Sequence, residues 1–152
     1  MAERRSQRMK VVLQLAEREE QAAAARLGEQ QQLLEREQAQ LSQLQDYRQQ
    51  YLDDYARPRS GVTAEALMSY SGFLQRLGEA VTGQQQKLAM VNQAREQSRR
   101  EWEERYHRRR SLEDMIARLQ REEEAAFEQR QQREQDDLAA QRLTRPGRSR
   151  KP

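Results

Sequence analysis

Arg57-Pro58-Arg59-Ser60-Gly61 interrupts an otherwise continuous succession of helix formers, and its reading decides the fold. The ring of Pro58 drives Arg57 out of the α region, and proline and glycine together mark a reversal rather than a helix interior. About fifty residues rich in Ala, Leu, Glu, Gln and Arg precede this break, and about eighty follow it. Such side chains lose little rotamer freedom in a helix, so both runs should be helical. With few residues in which to turn, the arms should fold back on each other. This predicts helix one over about 7–56, a turn over 57–62, helix two over about 63–141 and a basic flexible tail over 142–152. Thr63 is placed to cap the second helix, and Glu65 falls in its first turn, where a carboxylate suits the positive end of the helix dipole. The expected fold is all-α: a single-domain, two-helix antiparallel coiled-coil hairpin with a longer second helix. At 1.5 Å per residue the arms would extend roughly 75 Å and roughly 120 Å.

Composition supports a narrow seam rather than a broad core. Hydrophobic and charged residues each make up 35% of the 152 residues, with two Phe and one Trp, too little apolar surface to enclose a globular interior. Disorder is the competing reading for so polar a chain. Against it, the apolar residues recur periodically. Taking Leu13, Glu20, Leu27, Leu34, Leu41, Arg48 and Tyr55 as heptad position a puts Met9, Ala16, Ala23, Gln30, Glu37, Leu44 and Tyr51 at d. In the second arm a falls on Leu67, Leu74, Val81, Leu88, Arg95, Trp102, Arg109 and Ile116, and d on Tyr70, Leu77, Gln84, Val91, Ser98, Arg105, Leu112 and Leu119. Most of these are apolar, the 3.5-residue repeat of a coiled coil. The register decays beyond Leu119, leaving Phe127 and Leu138 as isolated anchors. Folding back about residues 57–62 makes the numbers of facing residues add to about 119–121, which leaves the second helix without a partner after about residue 115.

Outside the seam, Glu96–Arg100, Glu101–Arg105, Glu104–Arg108 and Asp114–Arg118 are i,i+4 pairs that support the helix by about 0.3–0.5 kcal/mol each. The polar seam residues Glu20, Gln30, Glu37, Gln84, Arg95, Ser98, Arg105 and Arg109 admit two readings. Either their long side chains snorkel past the seam and fix its register, or they loosen a rod that a partner can twist or grip. Ala16 and Ala23 lie near the expected level of Trp102 and would make room for it, so Trp102 reads as packing.

Without cysteine there is neither a disulfide scaffold nor a thiolate metal site, as suits a reducing cytosol. Arg4, Arg5, Arg8 and Lys10 precede Val11-Val12-Leu13, but charge returns at Glu17, so this apolar run is too short for a signal peptide. No segment approaches the roughly 20 apolar residues of a membrane span, and the chain is expected to be soluble and unsecreted. Net charge is +3, yet Arg142, Arg145, Arg148, Arg150 and Lys151 lie in a C-terminal stretch free of acid, which leaves the remainder slightly negative. The high pI of about 9.5 therefore reports mainly a tail, and nucleic-acid binding is not expected.

Catalysis finds little support. His107 is the single histidine and sits among Arg105, Arg108, Arg109 and Arg110; neither a GxxxxGK[ST] loop nor GxGxxG occurs. Glu122-Glu123-Glu124 is a carboxylate run, but consecutive residues project around a helix and cannot converge on one atom. A straight coiled coil offers no concave pocket. No enzyme activity, cofactor or metal is expected, and the chain should work by contact with other proteins.

Three stretches make the reading more specific. Leu15-Ala16-Glu17-Arg18-Glu19 with the run Ala23–Glu29 opens the first arm, Trp102 precedes a basic stretch in the second, and Gln132-Arg133-Glu134-Gln135-Asp136-Asp137-Leu138-Ala139 lies towards its end. With the size and the unequal hairpin, these resemble the FliJ family, coiled-coil proteins of bacterial flagellar type III export, over about residues 5–143. The resemblance implies a stalk like the central subunit of rotary ATPases. Its end with both termini would enter the hexameric ring of the export ATPase FliI and promote assembly and activity. Its tip would face the export gate protein FlhA, and export chaperones would be further partners. It also implies a cytoplasmic protein, peripheral to the inner membrane at the flagellar base through those partners and monomeric when free.

Two surfaces follow from the pairing rule. Gln40, Leu44, Tyr47 and Tyr51 share one face by 4-3-4 spacing, as do Phe73, Leu77, Ala80 and Gln84, and the two quartets should meet. Leu44, Tyr51, Leu77 and Gln84 are at d and the other four at g, so an aromatic strip should run along the seam edge. It reads either as wider local packing or as a docking face; the resemblance implies the latter, since the double quartet looks like the family's FlhA-binding surface, with Gln84 where its pattern carries histidine. The second surface is a basic collar at the base of the rod, Arg4, Arg5 and Arg8 near Arg108, Arg109 and Arg110, read either as a solvated face or as the ATPase contact. The rivals to this reading are the equivalent stalk of a virulence-type secretion system, a passive scaffold or parallel homodimer, and a nucleic-acid binder using its tail. The Pro58–Gly61 break argues against a continuous dimer.

Overall fold

A computed structural model describes residues 3–57 and 61–144; Pro58, Arg59, Ser60 and the tail from Arg145 lie outside the described residues. Two helices pack antiparallel, α1 over Arg5–Ala56 (52 residues) and α2 over Ala64–Thr144 (81 residues). Both are longer than the repeat alone predicts. The first gains a half-turn at its start, and the second runs past Leu138 and carries Arg142, expected in a flexible tail, inside its last turn. Between them Gly61 has φ of 91°, a conformation that costs glycine little and a side-chain-bearing residue much. Thr63 caps α2 as expected: its Oγ1 accepts from the Ala66 N–H at 3.2 Å, and its carbonyl accepts from Leu67 at 3.1 Å.

The chain divides into two units, Glu19–Tyr106 around the turn and, separately, the segment up to Arg18 with the segment from His107. In the turn-bearing unit the core is Ala23, Leu77 and Val81; in the other it is Ala16 and Ile116. All five occupy a or d. So do the buried polar residues Glu37 and Gln84, and Ser6, which continues position a one heptad before Leu13. The fully buried side chains are few and all lie on the a and d stripe, about one position per turn, flanked by half-buried residues, as a two-helix seam requires. Trp102 is half-buried with its ring 5.4 Å from Tyr106.

On the surface of α2 the ion pairs centre on Arg99, which bonds Glu96 at 2.7 Å and also reaches Glu103. Glu96–Arg100 forms at 3.7 Å, whereas Arg105 donates to the Glu101 carbonyl oxygen. The Arg99 guanidinium, ahead of the other neighbouring arginines, holds the Glu96 carboxyl below the usual carboxylate range.

Candidate partner-docking surfaces

Near the turn, four of the five tyrosines and one of the two phenylalanines form a ladder across the seam. Tyr47 meets Phe73 edge-on at 6.2 Å, Phe73 lies 4.6 Å from Tyr51, and Tyr70 is stacked between Tyr51 at 4.5 Å and Tyr55 at 4.0 Å. The Tyr70 hydroxyl donates to the Tyr51 carbonyl oxygen, tying α2 to the last turns of α1. Aromatic side chains suit this place because a two-helix seam cannot bury them fully, and each ring gains from edge and face contacts with the next. Beside the ladder, Tyr55, Tyr70, Val62, Leu67, Asp54 and Arg57 line a cleft of about 550 Å³.

The two quartets split by heptad position. Leu77 and Gln84 are buried, and Leu44, Tyr51 and Phe73 are half-buried, whereas Gln40, Tyr47 and Ala80 are exposed, Tyr47 by 49%. The free face is thus Gln40, Tyr47 and Ala80 with the edge of Phe73, largely the g row. Gln84 turns inward, where its amide donates to the Glu37 carbonyl oxygen at 3.1 Å and to the Glu37 carboxylate. Lys87 reaches the same carboxylate at 3.1 Å from the surface. The Gln84 hydrogen bond first, and Lys87 second, hold the Glu37 carboxyl below its ordinary value. Of the two readings of polar seam residues, this pair exemplifies the register-fixing one: a seam slip would strand a buried carboxylate.

In the other unit, Arg4 occupies the cap position of α1, its carbonyl accepting from Gln7 and Arg8, but its side chain offers no acceptor for the free N–H groups of the first turn. Glu123 of α2 supplies one. Its two carboxylate oxygens accept from the Ser6 backbone N–H at 3.0 Å and the Ser6 hydroxyl at 2.6 Å. The Ser6 hydroxyl, the Ser6 N–H and the charge of Arg4 together keep the Glu123 carboxyl below the usual range. Ser6 and Glu123 each continue position a, one heptad beyond Leu13 and Ile116 respectively. Glu37 faces Gln84 and Tyr51 faces Tyr70, both pairs adding to 121 as expected, but at this end the arms stay in contact past residue 115. The long Glu123 side chain can lean towards the N-terminus of its own helix, which extends its reach back to Ser6.

This contact also separates the arginines. Arg4 lines a cleft with Gln120, Glu123, Glu124 and Phe127, whereas Arg108–Arg110 lie fourteen residues back from Glu123, roughly 21 Å along a helix. Arg109 is half-buried and pairs with Glu113 at 2.6 Å, while Arg108 and Arg110 are exposed. The expected collar is therefore two basic patches at different heights.

The family model for the flagellar FliJ protein matches residues 5–148, nearly the whole chain. The chain belongs to the FliJ family. It is thus a coiled-coil protein of flagellar type III export. No curated protein and no solved structure matches it. Among the described residues of this FliJ-family hairpin, the aromatic ladder and the Glu37–Gln84 pair pin the seam of the turn-bearing unit, and the Ser6–Glu123 clasp pins that of the other unit. Among the described residues no cluster of His, Cys, Asp or Glu is arranged to hold a metal ion, and no helix is long and apolar enough to cross a membrane. From sequence, Tyr55 and Tyr70 read only as seam positions; their place at a and d next to the turn, beside Tyr51, is the signal that the aromatic strip continues.

Proposed function

We propose that this chain is the non-enzymatic stalk of a flagellar export ATPase. Its terminal end inserts into the hexameric ring of FliI and promotes ring assembly and hydrolysis, and its turn end contacts the export gate protein FlhA. The observation that carries this reading is the family match over residues 5–148 on a two-helix hairpin of unequal arms. A thin rod touches only some subunits of a sixfold ring at once, and so biases their states unequally. The gate contact is assigned to the double quartet, in which Gln40, Tyr47, Phe73 and Ala80 meet the partner and Leu44, Tyr51, Leu77 and Gln84 hold that strip in shape. Arg4, Arg5 and Arg8 and the separate patch Arg108, Arg109 and Arg110 are assigned to the ATPase. Export chaperones are further partners, and the protein acts in the cytoplasm at the flagellar base, peripheral to the membrane through its partners. The test is hydrolysis and hexamer formation by the cognate ATPase with and without the purified chain. Stimulation with ring assembly supports the stalk; no binding and no stimulation, with the helices intact by circular dichroism, refutes it.

A further inference from the structure

Large aliphatic side chains are scarce on the outer face of α1, and where they occur they cluster. Among the described residues of α1, the exposed aliphatics of valine size or larger are Val11 at 67%, Leu15 at 55% and Val12 at 36%. Val11 and Leu15 are one turn apart on the side away from the seam, whose positions there are Met9, Leu13 and Ala16. Exposed Arg8 precedes Val11 by three residues and exposed Arg18 follows Leu15 by three, so the pair sits between two cations on the same face. Exposed Arg4 continues that face one turn earlier. The seam does not need these side chains, and a polar residue at either position would hold the helix equally well.

We infer that Arg4, Arg8, Val11, Leu15 and Arg18 form a docking ridge for a protein surface that presents an apolar pocket rimmed by carboxylates. The cations set the sign of the rim, and the aliphatic pair sets the pocket. The ridge is held ready for binding, because the clasp of Ser6 by Glu123 ties the first turn of α1 to α2 before any partner arrives. Two or three small aliphatics without an aromatic residue give little insertion into a bilayer, which favours a protein over an anionic membrane. The inference rests on the stalk reading for its occupant, the inner wall of the export ATPase ring, and adds an apolar contact to the arginines already assigned there.

The experiment compares wild type with Val11→Ala/Leu15→Ala, a change to the best helix former that leaves the seam untouched. Met90→Ala, at another exposed apolar position (71%), is the control. The double variant should bind the ATPase at least tenfold more weakly and lose stimulation at the same concentration, with circular dichroism and gate binding unchanged; Met90→Ala should behave as wild type. Arg8→Glu/Arg18→Glu should weaken binding most at low salt. Equal ATPase affinity of wild type and the alanine variant overturns the ridge while leaving the stalk standing, whereas wild type that does not bind the ATPase at all overturns the stalk reading itself. Phosphatidylglycerol vesicles, and light scattering of the chain alone, complete the test. Binding to vesicles, or a dimer, that depends on Val11 and Leu15 while ATPase affinity does not overturns the inference in favour of a membrane or a second copy.

Discussion

Tyr70 offers the sharpest test of how the turn end is held. Its ring is stacked on both sides, 4.5 Å from Tyr51 and 4.0 Å from Tyr55, and its hydroxyl donates to the Tyr51 carbonyl oxygen. Tyr70→Phe removes the hydroxyl and keeps both stacks. A hydrogen bond of this kind contributes about 1 kcal/mol net. Tyr70→Ala also removes two aromatic pairs, each about 0.5–1.5 kcal/mol, so its total should approach 3 kcal/mol. The loss is local, so the assay is amide hydrogen exchange over residues 47–57 rather than global melting. At roughly 1.4 kcal/mol per tenfold, the phenylalanine variant should exchange about fivefold faster and the alanine variant more than a hundredfold faster. Exchange near Ala23, far along α1, should not change. If the two variants exchange alike, the stacks contribute nothing and the ladder is only a set of neighbours.

Two further predictions concern the seam and the gate face. The carboxyls of Glu37 and Glu123 both titrate below their ordinary value of 4.5, so the folded state favours the charged forms. Their stabilisation is complete above the unfolded-state value and is lost as pH falls through the lowered folded-state values. Acidification below about pH 4.5 should therefore loosen the first turn of α1 before the aromatic turn end, and Glu123→Gln should show that loosening already at neutral pH, read by amide exchange at residues 6–9. At the proposed gate face, Tyr47→Ala/Phe73→Ala should weaken binding to the export gate by tenfold or more with helix content kept, while Gln40→Ala alone should have a small effect, both measured by calorimetry.

Much of the fold was legible because a seam writes itself as a period. The five buried apolar residues, and Glu37 and Gln84 with them, fall at positions that the heptad count assigned to the interior. The Pro58 and Gly61 residue types point to the reversal through backbone preference, and Thr63 marks the start of α2 through its side-chain cap. What escaped was written in polar residues. Ser6 and Glu123 continue position a, yet a hydrophobic repeat cannot register a serine and a glutamate, and the partnership depends on an uncapped helix end that appears only when both arms are in place. The same contact moved Arg4 beside Glu123 and divided the collar that a uniform pairing rule had assembled. Gln84 shows the opposite case: spacing puts it at d in the quartet, but only the position of Glu37 determines that its amide turns inward.

The proposed stalk is tested most directly by stoichiometry, because in that role a single hairpin would serve a whole ring. Native mass spectrometry of the export ATPase with nucleotide and this 18.1 kDa chain should give a complex of six ATPase subunits and one hairpin, even with the chain in excess. One hairpin on each ATPase subunit, or ATPase hexamers that never carry the chain, would contradict it.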